Sequence, residues 1–196
     1  MAVCLAFDTS QAWCAAALVA GGRTVTRIDE MARGQAEHLL PMLEEMLAGA
    51  GLGWSDLEVI GVGTGPGNFT GIRISVAAAR GLAMARGITA VGISAFEAAG
   101  PQPLPRWVAV DAPRGQVYLQ RFDPEPGPPE LAPAERLARL DAPLIRLSDI
   151  PPGDRIANIA ALALARRDQP MPPPAPLYVR PADAAPPRQA APVILP

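Results

Sequence analysis

The sequence predicts an α/β protein of two lobes, the second of them reduced and proline-rich. Three observations carry this prediction. The first hundred residues alternate short apolar runs of strand length with longer segments of helical character. Of the 24 prolines only Pro41 and Pro66 fall there, while the other 22 follow residue 100. A linker, Gly100-Pro101-Gln102-Pro103-Leu104-Pro105, stands between the two compositions. Lobes of residues 1–100 and 101–196 follow, with a Pro/Ala-rich tail from about residue 168.

The elements follow in order. Val3-Cys4-Leu5-Ala6-Phe7-Asp8 is an apolar run of strand length, 3–8, closed by the turn formers Asp8-Thr9-Ser10. Strands at 13–20 and 23–29 flank Gly21-Gly22, which supplies the positive φ of a two-residue hairpin. A helix at 35–49, a strand at 58–63, a helix at 70–86, a strand at 88–93 and a short helix near 95–99 complete the first lobe. Beyond the linker, 107–111 and 116–122 form a hairpin, 144–147 a short strand and 155–167 a helix. The tail is too poor in large apolar residues to bury a core of its own, so it drapes over the second lobe or stays mobile. Three antiparallel strands followed by alternating helix and strand is the pattern of the actin/Hsp70/sugar-kinase-like (ASKHA) fold.

Composition excludes several classes of chemistry. The 196 residues carry a net charge of −2, without the strongly basic balance of a standing nucleic-acid footprint. All 17 basic side chains are arginine, so a P-loop lysine, a Schiff-base lysine and a Ser–Lys dyad are excluded. His38 is the single histidine, so a two-histidine metal site is excluded and a Ser-His-Asp triad would need His38 itself as its base. Cys4 and Cys14 lie on apolar strands and read as buried free thiols. No signal peptide precedes the first strand and apolar runs stop well short of membrane-spanning length, so the expectation is a soluble cytoplasmic protein.

The candidate site is the stretch Gly65-Pro66-Gly67-Asn68-Phe69-Thr70-Gly71-Ile72-Arg73, a tight loop between a strand and a helix. Such a loop aims backbone N–H groups and the positive end of a helix at one point, which suits an anion. It serves equally as a plain strand-to-helix connection. Asp8 is the second candidate, because active members of the fold use an acidic residue at the end of the first strand for metal-bound phosphate chemistry. Here Asp8, Thr9 and Ser10 also suit a hairpin corner, with side chains turned to the turn backbone. Gly65, Gly67 and Asn68 with Asp8, Thr9 and Ser10 therefore form a residual nucleotide cleft.

The two helices add a surface. Leu39, Leu40, Met42, Leu43, Met46 and Leu47 span an arc of about 160°, wider than the stripe of about 100° that one sheet needs. In the second helix Ile72, Val76, Ala79 and Ala83 form one stripe, Ala77, Ala78, Gly81 and Ala85 add small residues nearly all round, and Arg73 and Arg80 form a polar line. A continuous apolar partner face built on Leu39, Met42, Leu43, Met46, Ile72, Val76, Ala78 and Arg80 is expected, with a well-buried pair of helices as the competing reading.

The leading strand ending in Asp-Thr-Ser, the GPGNFTGIR loop, and Val110-Asp111-Ala112-Pro113-Arg114-Gly115-Gln116-Val117-Tyr118 together resemble the TsaB (YeaZ) family. Tyr178-Val179-Arg180 is similar to that family's near-terminal Tyr-Leu-Arg. Arg33-Gly34-Gln35-Ala36-Glu37-His38-Leu39-Leu40-Pro41 is similar to its Arg-x-His-Ser-Glu-x-Leu-Leu-Pro, with Gln35 at the family's histidine and His38 at a variable position. Proline and glutamine replace residues of the family's usual Asp-Ala-Arg-Arg-Gly-Glu turn. The resemblance implies the ASKHA fold and a non-catalytic scaffold or activator of the transferase TsaD in threonylcarbamoyladenosine (t6A) modification of tRNA. It implies a TsaD-like partner on the two helices, a TsaE-like ATPase as third component, and contact with tRNA only through the complex. A homodimer through the same helices is compatible with it. No cofactor is required, and ATP or ADP has room in the residual cleft or at the partner interface. A nucleotide-dependent phosphotransferase using Asp8 and the Gly65–Asn68 loop is the alternative, and a glycoprotease-like peptidase a remote one.

Overall fold

The computed structural model describes residues 2–179. Strands β1 (Cys4–Asp8), β2 (Trp13–Ala20), β3 (Arg23–Glu30), β4 (Val59–Gly63) and β5 (Thr89–Ile93) form one sheet in the order β3-β2-β1-β4-β5. β1, β2 and β3 run antiparallel, while β4 and β5 run parallel to β1, with Cys4 opposite Val59 and Val59 opposite Thr89.

Period-two alternation divides the sheet between two layers. Leu5, Phe7, Cys14, Ala16 and Leu18 face helices α1 (Gln35–Gly49) and α2 (Phe69–Arg86). Cys4, Ala6, Ala15 and Ala17 face the opposite way, onto helix α3 (Pro152–Arg166). Each helix has a local cause. Asn68 caps α2 by accepting the Gly71 N–H on its side-chain oxygen at 2.8 Å, and Gly87 closes it at φ 65°, a left-handed conformation that glycine adopts freely. Pro152 opens α3 at a position whose N–H needs no partner, and Ile156, Ile159, Ala160 and Ala163 make its buried stripe.

A second sheet holds β6 (Arg106–Ala112), β7 (Gln116–Asp123), β8 (Glu125–Pro126) and β10 (Leu144–Arg146) in the order β10-β6-β7-β8, with β9 (Glu130–Pro133) also pairing β7. The expected hairpin is β6–β7, with Asp111 opposite Val117. β8 and β9 were not expected. They lie in a proline-dense stretch, and sheet margins accept proline because there an N–H is not needed on both sides.

The division at residue 100 separates the sheets but not the chain, and here the structure departs from the expected 101–196 lobe. α3 crosses back to cover the bare face of the first sheet, touching β1, β2, β3, β4 and β5. The reason is steric: small residues on that face admit a helix closely, so that a methyl on Gly61 would stand 2.9 Å from the Ala163 Cβ. The start of the tail is also built in. Leu177 donates its N–H to the Thr64 carbonyl at 2.8 Å, and Leu177 and Val179 pack on the core of the second lobe. Arg180 and the rest of the tail lie outside the described residues.

Candidate functional site

Five of the six cleft residues named from sequence meet at one corner between the lobes; Gly65, at the start of the loop, accepts the Ala95 N–H at 2.7 Å instead. β1 ends at Asp8, and the loop from β4 to α2 folds onto the Asp8–Ser10 turn. Ser10 donates its backbone N–H to Asp8 Oδ1 at 2.8 Å and its hydroxyl to Asp8 Oδ2 at 2.9 Å. The Thr9 hydroxyl donates to the Gly71 carbonyl at 2.6 Å, and Asn68 donates its N–H to the Ser10 carbonyl at 2.7 Å. The glycines are required by this contact. A methyl on Gly71 would overlap the Thr9 carbonyl oxygen, and one on Gly67 would stand 2.6 Å from the Ser10 carbonyl oxygen. Two of the amides at this end of α2, those of Asn68 and Gly71, thus point to acceptors within the chain itself.

Asp8 is partly buried, and burial raises its carboxyl above the ordinary value; the Ser10 hydrogen bonds and the charge of Arg155 pull against that rise. Arg155, from α3, has its guanidinium 5.2 Å from the centre of the Trp13 ring, and burial lowers its pKa against the pull of Asp8 and Asp111. Arg155 was not foreseen, because its proline-rich surroundings carry no motif that points to the first lobe. In front of this corner a cleft of about 450 Å³ opens between the lobes, lined by Ser10, Gln35, Gly67, Asn68, Asp111 and Tyr118. It brings together four segments quoted for the family resemblance.

His38 Nε2 lies 2.6 Å from Asp29 Oδ2, and Arg27 bridges Asp29 to Glu45, so the lone histidine ties α1 to β3. Among the described residues no three His, Cys, Asp or Glu side chains gather as metal ligands.

The partner face expected from sequence is corrected. Leu39, Met42, Leu43, Ile72 and Val76 are buried between the helices and the sheet, and Met46 and Ala78 are half-buried against the same core. Apart from Leu40, the wide apolar arc of α1 is turned to its own sheet and its neighbour α2, so those five side chains leave no surface to share. Arg80 is exposed as expected. What faces outward is the other side of α2, with Ala77 and Gly81 exposed and Met84 86% exposed, together with Leu40 of α1. Met84 lies seven residues from Ala77, so a helical wheel places both on one side. At the start of α2, Phe69 is exposed, the Arg73 guanidinium stacks 3.8 Å from its ring centre, and Arg73 donates to the Tyr178 hydroxyl at 2.8 Å.

A family model described as TsaD, tRNA N6-adenosine threonylcarbamoyltransferase, matches residues 29–165. The tRNA threonylcarbamoyladenosine biosynthesis protein TsaB of Haemophilus influenzae is 36% identical over 126 residues, 60% of this chain and 52% of that protein. The solved structure of YeaZ from Pseudomonas aeruginosa superposes with a TM-score of 0.70 at 26% identity, covering 91% of this chain and all of that one. The chain belongs to this family, among its TsaB/YeaZ proteins. An uncharacterized protein of Mycobacterium tuberculosis is 34% identical over 179 residues, 82% of each chain. The chain spans about half the length of the Haemophilus influenzae and Escherichia coli TsaB proteins it matches, 52% and 54%. Among the described residues no helix is long and apolar enough to cross a membrane.

Proposed function

We propose that this protein is a non-catalytic partner of a TsaD-type threonylcarbamoyl transferase in t6A modification of tRNA, holding that enzyme in an active arrangement. The observation that carries the reading is the closure of the loop onto the Asp-Thr-Ser turn. In a working phosphotransferase the loop amides and the strand-end carboxylate face a phosphate and its metal. Here the Asn68 amide is spent on Ser10, the Gly71 amide on Asn68, and both Asp8 oxygens on Ser10. Neither the Asp8–Ser10 turn nor the loop carries a basic residue before Arg73, so phosphate charge has little to meet it within these two segments. The protein accordingly needs no cofactor of its own, and a TsaE-like ATPase and tRNA reach it through the complex.

The outward side of α2 suits a partner helix. Ala77 and Gly81 let a second backbone approach, and Met84 and Leu40 supply adaptable apolar contact. The same side serves a homodimer when TsaD is absent. Co-expression with the TsaD-type protein of the same organism tests this. Met84→Glu places a charge on an exposed position and leaves the thermal midpoint unchanged, while co-purification is lost. A Met84→Glu protein that still co-purifies would sink the assignment of this surface. ATP turnover by the purified chain, abolished by Asp8→Asn, would overturn the non-catalytic reading.

A further inference from the structure

A cavity of about 430 Å³ lies on the seam where α3 meets the second sheet, distinct from the cleft in front of Asp8. Its wall includes Arg106 at the start of β6, Phe122 of β7, and Ala161, Leu162 and Arg166 of α3. That volume is within the range that holds a small organic molecule.

Arg106 sets the chemistry. It is only 9% exposed, with its guanidinium 4.7 Å from the centre of the Phe122 ring. One terminal nitrogen donates to the Gln102 carbonyl at 2.7 Å and the other reaches the Gly100 carbonyl at 3.5 Å, while the buried Nε–H has no acceptor. Among the described residues no carboxylate pairs with it, so burial lowers its pKa with nothing to offset the effect. A buried cation without a counter-charge is costly and is ordinarily paired. The second guanidinium is engaged, because Arg166 lies 2.8 Å from Glu97 Oε1 and Glu97 Oε2 takes the Ser94 amide and hydroxyl. The wall therefore carries one uncompensated positive charge beside an apolar lining of Phe122 and Leu162.

We propose that this cavity binds a small organic carboxylate, its charge paired with Arg106 and its apolar body packed on Phe122 and Leu162. The site does not depend on the function proposed above. The test is a titration of the full chain with sodium benzoate and, separately, with neutral benzamide, followed by backbone amide NMR. Saturable benzoate binding with shifts around residues 106, 122 and 158–162 is expected, and benzamide binds at least about tenfold more weakly, since a charge-assisted pair is lost. Ala161→Trp, at an exposed position on the rim, removes benzoate binding at an unchanged thermal midpoint; Arg106→Gln does the same wherever that variant folds. Equal binding of benzoate and benzamide, wild-type affinity in the Ala161→Trp protein, or no saturation at all would overturn the assignment.

Discussion

At the scale of single residues, Asp8 binds the turn that follows its strand, both of its oxygens accepting from Ser10. Its carboxyl pKa lies above the ordinary 3.8 because of burial. Below that value both the folded and unfolded chains hold the proton, and Asp8 does not affect their balance. Above it, the unfolded chain releases the proton while the folded chain retains it, so stability falls as pH rises toward the folded pKa. Asp8→Asn keeps an acceptor for the Ser10 amide and offers a donor to its hydroxyl. Its urea midpoint relative to wild type is therefore expected to climb as pH rises above the ordinary carboxylate value of 3.8; a flat or falling difference would contradict the raised pKa. Glycine gives a paired contrast. Gly71→Ala drives a methyl into the Thr9 carbonyl and is expected to cost about 2–3 kcal/mol. Gly81→Ala meets no atom within 4 Å inside the same helix and is expected to gain about 0.5–1 kcal/mol. That the Asp8–Ser10 turn and the Gly67–Asn68 loop lie together was expected from the sequence, whereas Gly65 turns to Ala95. That the two segments satisfy one another was not, because composition marks a tight turn without saying which acceptor its amides reach.

At the scale of elements, the strands and helices of the first lobe fall within a residue or so of the periodicity that announced them. The helix faces were misread for a physical reason. Hydrophobic periodicity reports how much of a helix is covered, not by what, and α1 is covered by both a sheet and α2. The destination of α3 was equally hidden. Its Ile156, Ile159, Ala160 and Ala163 stripe announces a buried helix, yet nothing local tells which of two sheets it will meet. One prediction belongs here. A fragment of residues 1–100 contains the whole first sheet but leaves Cys4, Ala6, Ala15, Ala17, Val59, Val91 and Ile93 uncovered. It is expected to lack dispersed amide NMR signals, and to gain them when a peptide spanning residues 150–168 is added. A fragment that folds alone would show that α3 is an ornament on a self-sufficient lobe.

At the scale of the whole molecule, the mixed α/β class follows from the strand and helix pattern, as does membership of the TsaB/YeaZ family from its loop, while the order of strands in each sheet is known only from the structure. The seam between lobes was not legible, because the cleft and the cavity behind it are each built from segments far apart in the chain. The return of α3 has a consequence for how the protein is made. Synthesis delivers β5 at residue 93, but the helix that seals its sheet is complete only at residue 166, which is 73 residues later. At ribosomal speeds of about 5–20 residues per second that interval is roughly 4–15 s. Through it, the strands of the first lobe wait at the exit of the ribosome unsealed and with their apolar side chains bare, a ready target for chaperones and for neighbouring nascent chains.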